Sequence, residues 1–150
     1  MIPGLQIDPS TEERVWRAFT GWAEHFLGQL RRDGIPGLLH DYERHVVSVE
    51  TKSCTHDGGR SFNRGVAYQE CCGDIYEYTK DLAVRDALQI IMDALPHQQA
   101  SVLAQGIIGL DQRLKAELSD LEDQDEPGLA VPGISSKPWW RYRIPASIRR

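Results

Sequence analysis

The clearest hydrophobic rhythm in the chain runs on either side of Pro96. Before it, Leu82, Val84, Ala87, Leu88, Ile91 and Leu95 recur at helical spacing, with charged Lys80, Asp81, Arg85, Asp86 and Asp93 mostly between them. Asp74 follows Gly73 and can accept from the free N–H groups of a starting helix, and Glu77 stands three residues on, as in a capping box. Pro96 lacks an N–H and disfavours helix at Leu95, so the first helix should stop there. After it, Leu103, Ile107, Leu110, Leu114, Leu118 and Leu121 step by three, four or seven, a seam about six turns long. The pattern predicts a long helical hairpin, 74–95 and 97–124, at the centre of the fold. Gly106 and Gly109 each cost about 1 kcal/mol relative to Ala in a helix interior, which implies a kink or the close approach of another backbone. Packing within the chain is the favoured use of the seam; a homodimer or partner-binding face is the alternative.

Upstream, Asp8 or Ser10 can cap a helix whose first turn holds Glu12 and Glu13. Trp16, Phe19, Trp22, Phe26 and Leu30 follow at i, i+3 and i+4, and Gly34 closes the run. An aromatic stripe of this kind reads as core. Leu38, Leu39, Tyr42, Val46 and Val49 fit another helix, from Gly37 to about His45, with Pro36 acceptable in its first turn. Residues 46–52 are also rich in β-branched side chains, and Ser53 to Gly65 reads as a loop with Asp57-Gly58-Gly59 as its turn. One short β-hairpin between 46 and 68 is therefore open. The expected fold is mainly α, a compact bundle of about four helices, with α+β as the alternative if that hairpin forms.

The end of the chain differs in composition. Glu117, Asp120, Glu122, Asp123, Asp125 and Glu126 form an acidic run, Pro127-Gly128 ends it, and a Gly- and Pro-punctuated segment leads to Trp139-Trp140-Arg141-Tyr142-Arg143-Ile144-Pro145. We expect a single helical domain over 1–126, followed by a linker and a basic aromatic tail over 127–150. Two adjacent tryptophans are costly to leave in water, so the tail is expected to pack back on the domain. The Leu-Pro junction and the Trp-Trp-Arg-Tyr-Arg-Ile-Pro ending resemble small proteins of high-GC actinobacteria. That likeness covers scattered pieces, and no functional residue is carried over from it.

Composition narrows the class. The chain has 150 residues, 41% hydrophobic and 26% charged, as a single globular domain would. No apolar run approaches the roughly 20 residues that span a bilayer, and residues 1–8 lack the features of a secretory signal. Three cysteines, two adjacent, argue against a disulfide framework and for a cytoplasmic location. The net charge is −5, yet residues 137–150 hold five bases and no acid, which leaves −10 on residues 1–136. Such a body suits basic partners.

Candidate chemistry is thin. Cys54, His56, Cys71 and Cys72 are zinc-ligand types at unsuitable spacing, because adjacent cysteines struggle to point at one ion; no metal or cofactor is expected. His40 and His45 would stand about 140° apart on a helix, which is no metalloprotease pattern, and a general acid–base role for Glu43 or His45 competes with a solvated face of local ion pairs such as Asp41 with His45. The Gly58–Gly65 loop has two arginines but matches no phosphate-binding fingerprint. Cys71 or Cys72 before a helix start is a weak nucleophile candidate.

The leading expectation is a non-catalytic cytoplasmic binding module of the inhibitor, immunity or adaptor type, engaging a basic protein. Its expected partner-binding residues are Glu117, Asp120, Glu122 and Asp123, with Trp139, Trp140, Arg141, Tyr142 and Arg143 as anchors. The alternatives are a small enzyme or ligand- or metal-binding protein using Cys71/Cys72, His45 and Glu43, and nucleic-acid binding through the tail, which suits that body charge poorly.

Overall fold

A computed structural model describes residues 5–51, 82–120, 138–141 and 143–145, with backbone alone at 119, 120, 141 and 143–145. The described chain is a mainly α bundle of four helices: α1 Pro9–Arg17, α2 Glu24–Thr51, α3 Ala83–Ala94 and α4 His97–Ala116. A short ribbon pairs β1 Leu118–Asp120 with β2 Arg143–Pro145, antiparallel, Leu118 opposite Pro145 and Asp120 opposite Arg143.

Helix α1 starts where its sequence provides a cap. The Asp8 carboxylate accepts from the Thr11 N–H at 2.7 Å and from the Ser10 hydroxyl at 3.0 Å, and Pro9, which has no N–H to satisfy, opens the helix. The helix then ends earlier than the aromatic stripe implied. It stops at Arg17, and within the corner that follows Gly21 takes φ 84°, a conformation that costs a glycine little, before α2 starts at Glu24. The rings nevertheless remain in sequence across the corner. Trp16–Phe19, Phe19–Trp22 and Trp22–Phe26 have centroids 5.7, 5.3 and 5.2 Å apart. One expected helix is thus two, joined by the aromatic cluster that suggested it.

Helix α2 bends at Gly34, whose φ of 67° and ψ of −174° lie outside helical space, and Pro36 stands in the first turn of the second arm. That arm, 35–51, continues past His45 through the β-branched stretch. Leu38, Tyr42, Val46 and Val49 fall on one helical face and are all at most 2% exposed. Burial of such side chains is worth about 1.5–3 kcal/mol each, against a helix-propensity penalty for valine of at most roughly 0.7 kcal/mol. Packing wins. Residues 46–51 therefore form no strand, and the rest of the proposed hairpin, 52–68, lies outside the described residues.

Helices α3 and α4 form the expected pair about Leu95 and Pro96, with Leu95 extended at φ −77° and ψ 151° and its N–H bonded to the Ile91 carbonyl. The proposed start at Asp74 lies outside the described residues. The end of α4 is a correction: the helix stops at Ala116 rather than 124, and 118–120 pair as a strand. Pairing with β2 satisfies backbone groups there that a further helical turn would otherwise satisfy. Gly106 and Gly109 are exposed within an unbroken helix, and a methyl group on either would meet no described residue within 4 Å. They mark neither a kink nor a close backbone approach among the described residues.

Helix α2 packs on α3 and α4, and α1 packs on α3. The core runs from Val15, Trp16 and Phe19 through Tyr42, Val46, Leu88 and Ile91 to Leu103, Ile107 and Leu114. Of the seam of α4, Leu103, Ile107 and Leu114 are at most 2% exposed and are spent on this core, Leu110 and Leu118 are half-buried against it, and Leu121 lies outside the described residues. No helix among the described residues is long and apolar enough to cross a membrane.

Candidate functional site

Helix α3 is apolar around most of its circumference, with Ala87, Leu88, Ile90 and Ile91 all at most 2% exposed. A helix in that position buries whatever charges it carries. Arg85 and Asp86, spaced between apolar residues as on a solvated face, are only 4% and 1% exposed. Isolated charges would not be tolerated there, and the neighbouring elements supply their partners.

Asp111 on α4 meets Arg85 in a two-pronged ion pair. Arg85 Nε donates to Oδ1 at 2.9 Å and Nη2 to Oδ2 at 3.0 Å. The Tyr42 hydroxyl, from α2, donates to the same Oδ1 at 2.6 Å, so one carboxylate joins three helices. Arg85 Nη1 extends the set to Gln89 at 3.3 Å, and Gln89 donates to Asp93 at 2.9 Å. The flat face of the Arg85 guanidinium is covered by Trp140, whose ring centroid is 4.0 Å from Cζ. The indole N–H of Trp140 donates to Asp86 Oδ1 at 2.7 Å. Beside it, Trp139 meets Trp140 edge-on at 5.5 Å and takes the Lys115 ammonium over its own ring at 4.5 Å.

This cluster, Tyr42, Arg85, Asp86, Asp111 and Trp140, is the most elaborate polar arrangement among the described residues. Its donors and acceptors point at one another inside the bundle. What it can do chemically is to fix register: the bidentate pair allows one rotation of α3 against α4, and the indole bond one seat for the 139–141 turn. Sequence reading missed Arg85, Asp86 and Asp111 as a set. The available signal was the apolar surround of α3, together with polar-tipped aromatic residues elsewhere in need of partners.

At the surface, Arg113 on α4 grips Glu50 on α2 through Nε–Oε2 and Nη2–Oε1 contacts of 3.0 and 2.5 Å. The guanidinium holds the Glu50 carboxyl below the usual glutamate range, and Glu50 in turn raises Arg113. The pair is solvent-facing, so screening leaves it little weight in stability.

The residues singled out by sequence fall as follows. Glu117 is exposed and terminates α4, Asp120 lies in β1, and Glu122 and Asp123 lie outside the described residues. Trp139 is half-buried and Trp140 is buried at 3%; Arg141 ends their 3-10 turn, Arg143 opens β2, and Tyr142 lies outside the described residues. Trp140 is thus occupied within the chain. Glu43 is exposed whereas His45 is buried, so α2 presents them to different surroundings. Cys54, His56, Cys71, Cys72 and the Gly58–Gly65 loop lie outside the described residues. Among the described residues no group of three or more His, Cys, Asp or Glu side chains is placed to hold a metal ion.

Fold and cluster together define a small α-helical bundle fastened by an internal Arg–Asp–Tyr–Trp network. Comparison with protein families, with curated proteins and with solved structures gave no match to this chain.

Proposed function

We propose that the chain is a non-catalytic cytoplasmic protein-binding module, of the inhibitor, immunity or adaptor type, that engages a basic protein through its acidic surface. The observation that carries this reading is the charge partition: residues 1–136 bear −10, and the acidic run begins at the exposed Glu117 on the end of α4. A concentrated field of one sign speeds encounter with a partner of the other sign and sets its orientation, while desolvated anchors supply the affinity. Supporting it, Arg85, Asp111, Tyr42 and Trp140 are engaged in holding the bundle together, so the exposed charges dominate what a partner meets.

The test reverses Glu117, Asp120, Glu122 and Asp123 to lysine and measures association kinetics with a purified basic partner over a range of salt. The expected result is an on-rate lowered by about tenfold or more at low salt and a flattened salt dependence. An unchanged on-rate and unchanged salt dependence overturn the proposal.

A further inference from the structure

A hollow of about 270 Å3 opens beside α1, where the N-terminal lead-in passes the bend of α2. Ile7, Val15, Trp16 and Ile35 wall it, Gly34 forms the bend, and Glu12 is the one ionisable side chain among the described residues of its lining. The walls are held in place. Val15, Trp16 and Ile35 are 2%, 8% and 8% exposed, Asp8 caps α1, and the Gln99 amide of α4 donates to the Gln6 carbonyl at 3.4 Å. Glu12 Oε1 accepts from the Trp16 indole N–H at 3.4 Å, which keeps that carboxylate beside the apolar wall.

The geometry points to a binding site for a small organic cation: a primary amine on a single aromatic ring or a short alkyl body. The volume is just below the roughly 300–1,000 Å3 of drug-sized pockets, so the body must be small. The lining is otherwise apolar and favours such a body over water. At the rim, the exposed Glu12 carboxylate complements an ammonium, and the Trp16 indole N–H that it accepts from reports on its occupancy. Anions are disfavoured by Glu12 and by the charge of the whole acidic body. The site uses none of the acidic run, so it stands or falls apart from the protein-binding proposal.

The experiment titrates the full-length 15N-labelled protein with phenethylamine and with its neutral counterpart 2-phenylethanol, following the Trp16 indole N–H signal. Saturable shifts centred on Trp16 are expected, with the amine bound at least about fivefold more tightly than the alcohol. In Glu12→Gln, which keeps an oxygen for the Trp16 N–H, the two probes should bind alike. In Ile7→Phe, which fills the hollow at a half-buried position, binding of both should be lost. Equal affinity for amine and alcohol in the unaltered protein overturns the inference. So does amine binding that survives Ile7→Phe, or the absence of a saturable response at Trp16.

Discussion

Single residues decide where this chain bends. Gly34 sits at φ 67° and ψ −174°, a region that is nearly the preserve of glycine. Gly34→Ala should lower the unfolding free energy by about 1–3 kcal/mol, measured from urea midpoints. Gly37 is a second constraint of a different kind, because a methyl group there would lie 2.7 Å from the Asp33 Cβ, an atom with little freedom to move. Gly37→Ala should cost about 1–3 kcal/mol through overpacking. Gly106, in mid-helix, has no described neighbour within 4 Å of an added methyl, and Gly106→Ala should instead stabilise by roughly 0.5–1 kcal/mol. Opposite signs at Gly34 and Gly106 in the same assay separate conformational need from tolerance. A destabilised Gly106→Ala protein would mean that this face of α4 is not open. Asp8 adds a pH signature. The Thr11 N–H, then the Thr11 and Ser10 hydroxyls, hold its carboxyl below the ordinary aspartate value. A carboxyl lowered by folding contributes stability that is complete above its unfolded pKa of about 3.9 and is lost as pH falls through the lower folded value. The gap between the unaltered protein and Asp8→Ala should therefore close on acidification below about pH 4, as urea midpoints in a pH series would record.

At the scale of elements, the Arg85–Asp111 pair locks α3 to α4 and Tyr42 adds α2. Removing one partner of a buried pair costs on the order of 3–5 kcal/mol, whereas replacing both with apolar groups of similar size is often neutral. Asp111→Ala should therefore be far more damaging than Arg85→Met combined with Asp111→Leu, with its cost at the lower end because Asp111 is 16% exposed. Tyr42→Phe should cost about 1.5–3 kcal/mol, the worth of a hydrogen bond to a charged acceptor, and much less once Asp111 is leucine. Additive losses in calorimetry would show that these groups do not act as one cluster. The same elements show what sequence could reveal. Helical periodicity on either side of Pro96 was legible because apolar spacing is local. The end of α4 at Ala116 was not, since Leu118 continues the helical rhythm while a segment more than 20 residues downstream draws it into a ribbon. The helical state of 46–51 was undecided for a related reason: valine suits strand or helix, and burial against α3 and α4 settles it. Arg85, Asp86 and Asp111 stayed hidden because charges spaced between apolar residues look solvated until the neighbours of a helix are known.

For the whole molecule, the question raised by Trp140 is whether the 138–145 segment is an appendage or part of the cooperative unit. Its contacts favour the second. Trp140 is 3% exposed, bonds Asp86 and covers Arg85, whose pairing with Asp111 holds α3 to α4; the ring therefore shields the central ion pair from water. Water reaching that pair would weaken it by raising the local dielectric response. Two substitutions divide the contribution. Trp140→Phe keeps an aromatic face over Arg85 and removes the N–H, and should cost about 1.5–3 kcal/mol. Trp140→Ala removes both and should cost about 3–5 kcal/mol. If the segment belongs to the unit, that loss appears in global unfolding, and amide exchange from Leu88 and Ile91 in α3 speeds up by the same free energy. If it is an appendage, Trp140→Ala speeds proteolysis near the C-terminal end while the urea midpoint and α3 exchange stay where they were. The placement of the indole at the junction of α3's two buried charges predicts the first outcome, because freeing this segment necessarily exposes the groups that hold the helices in register.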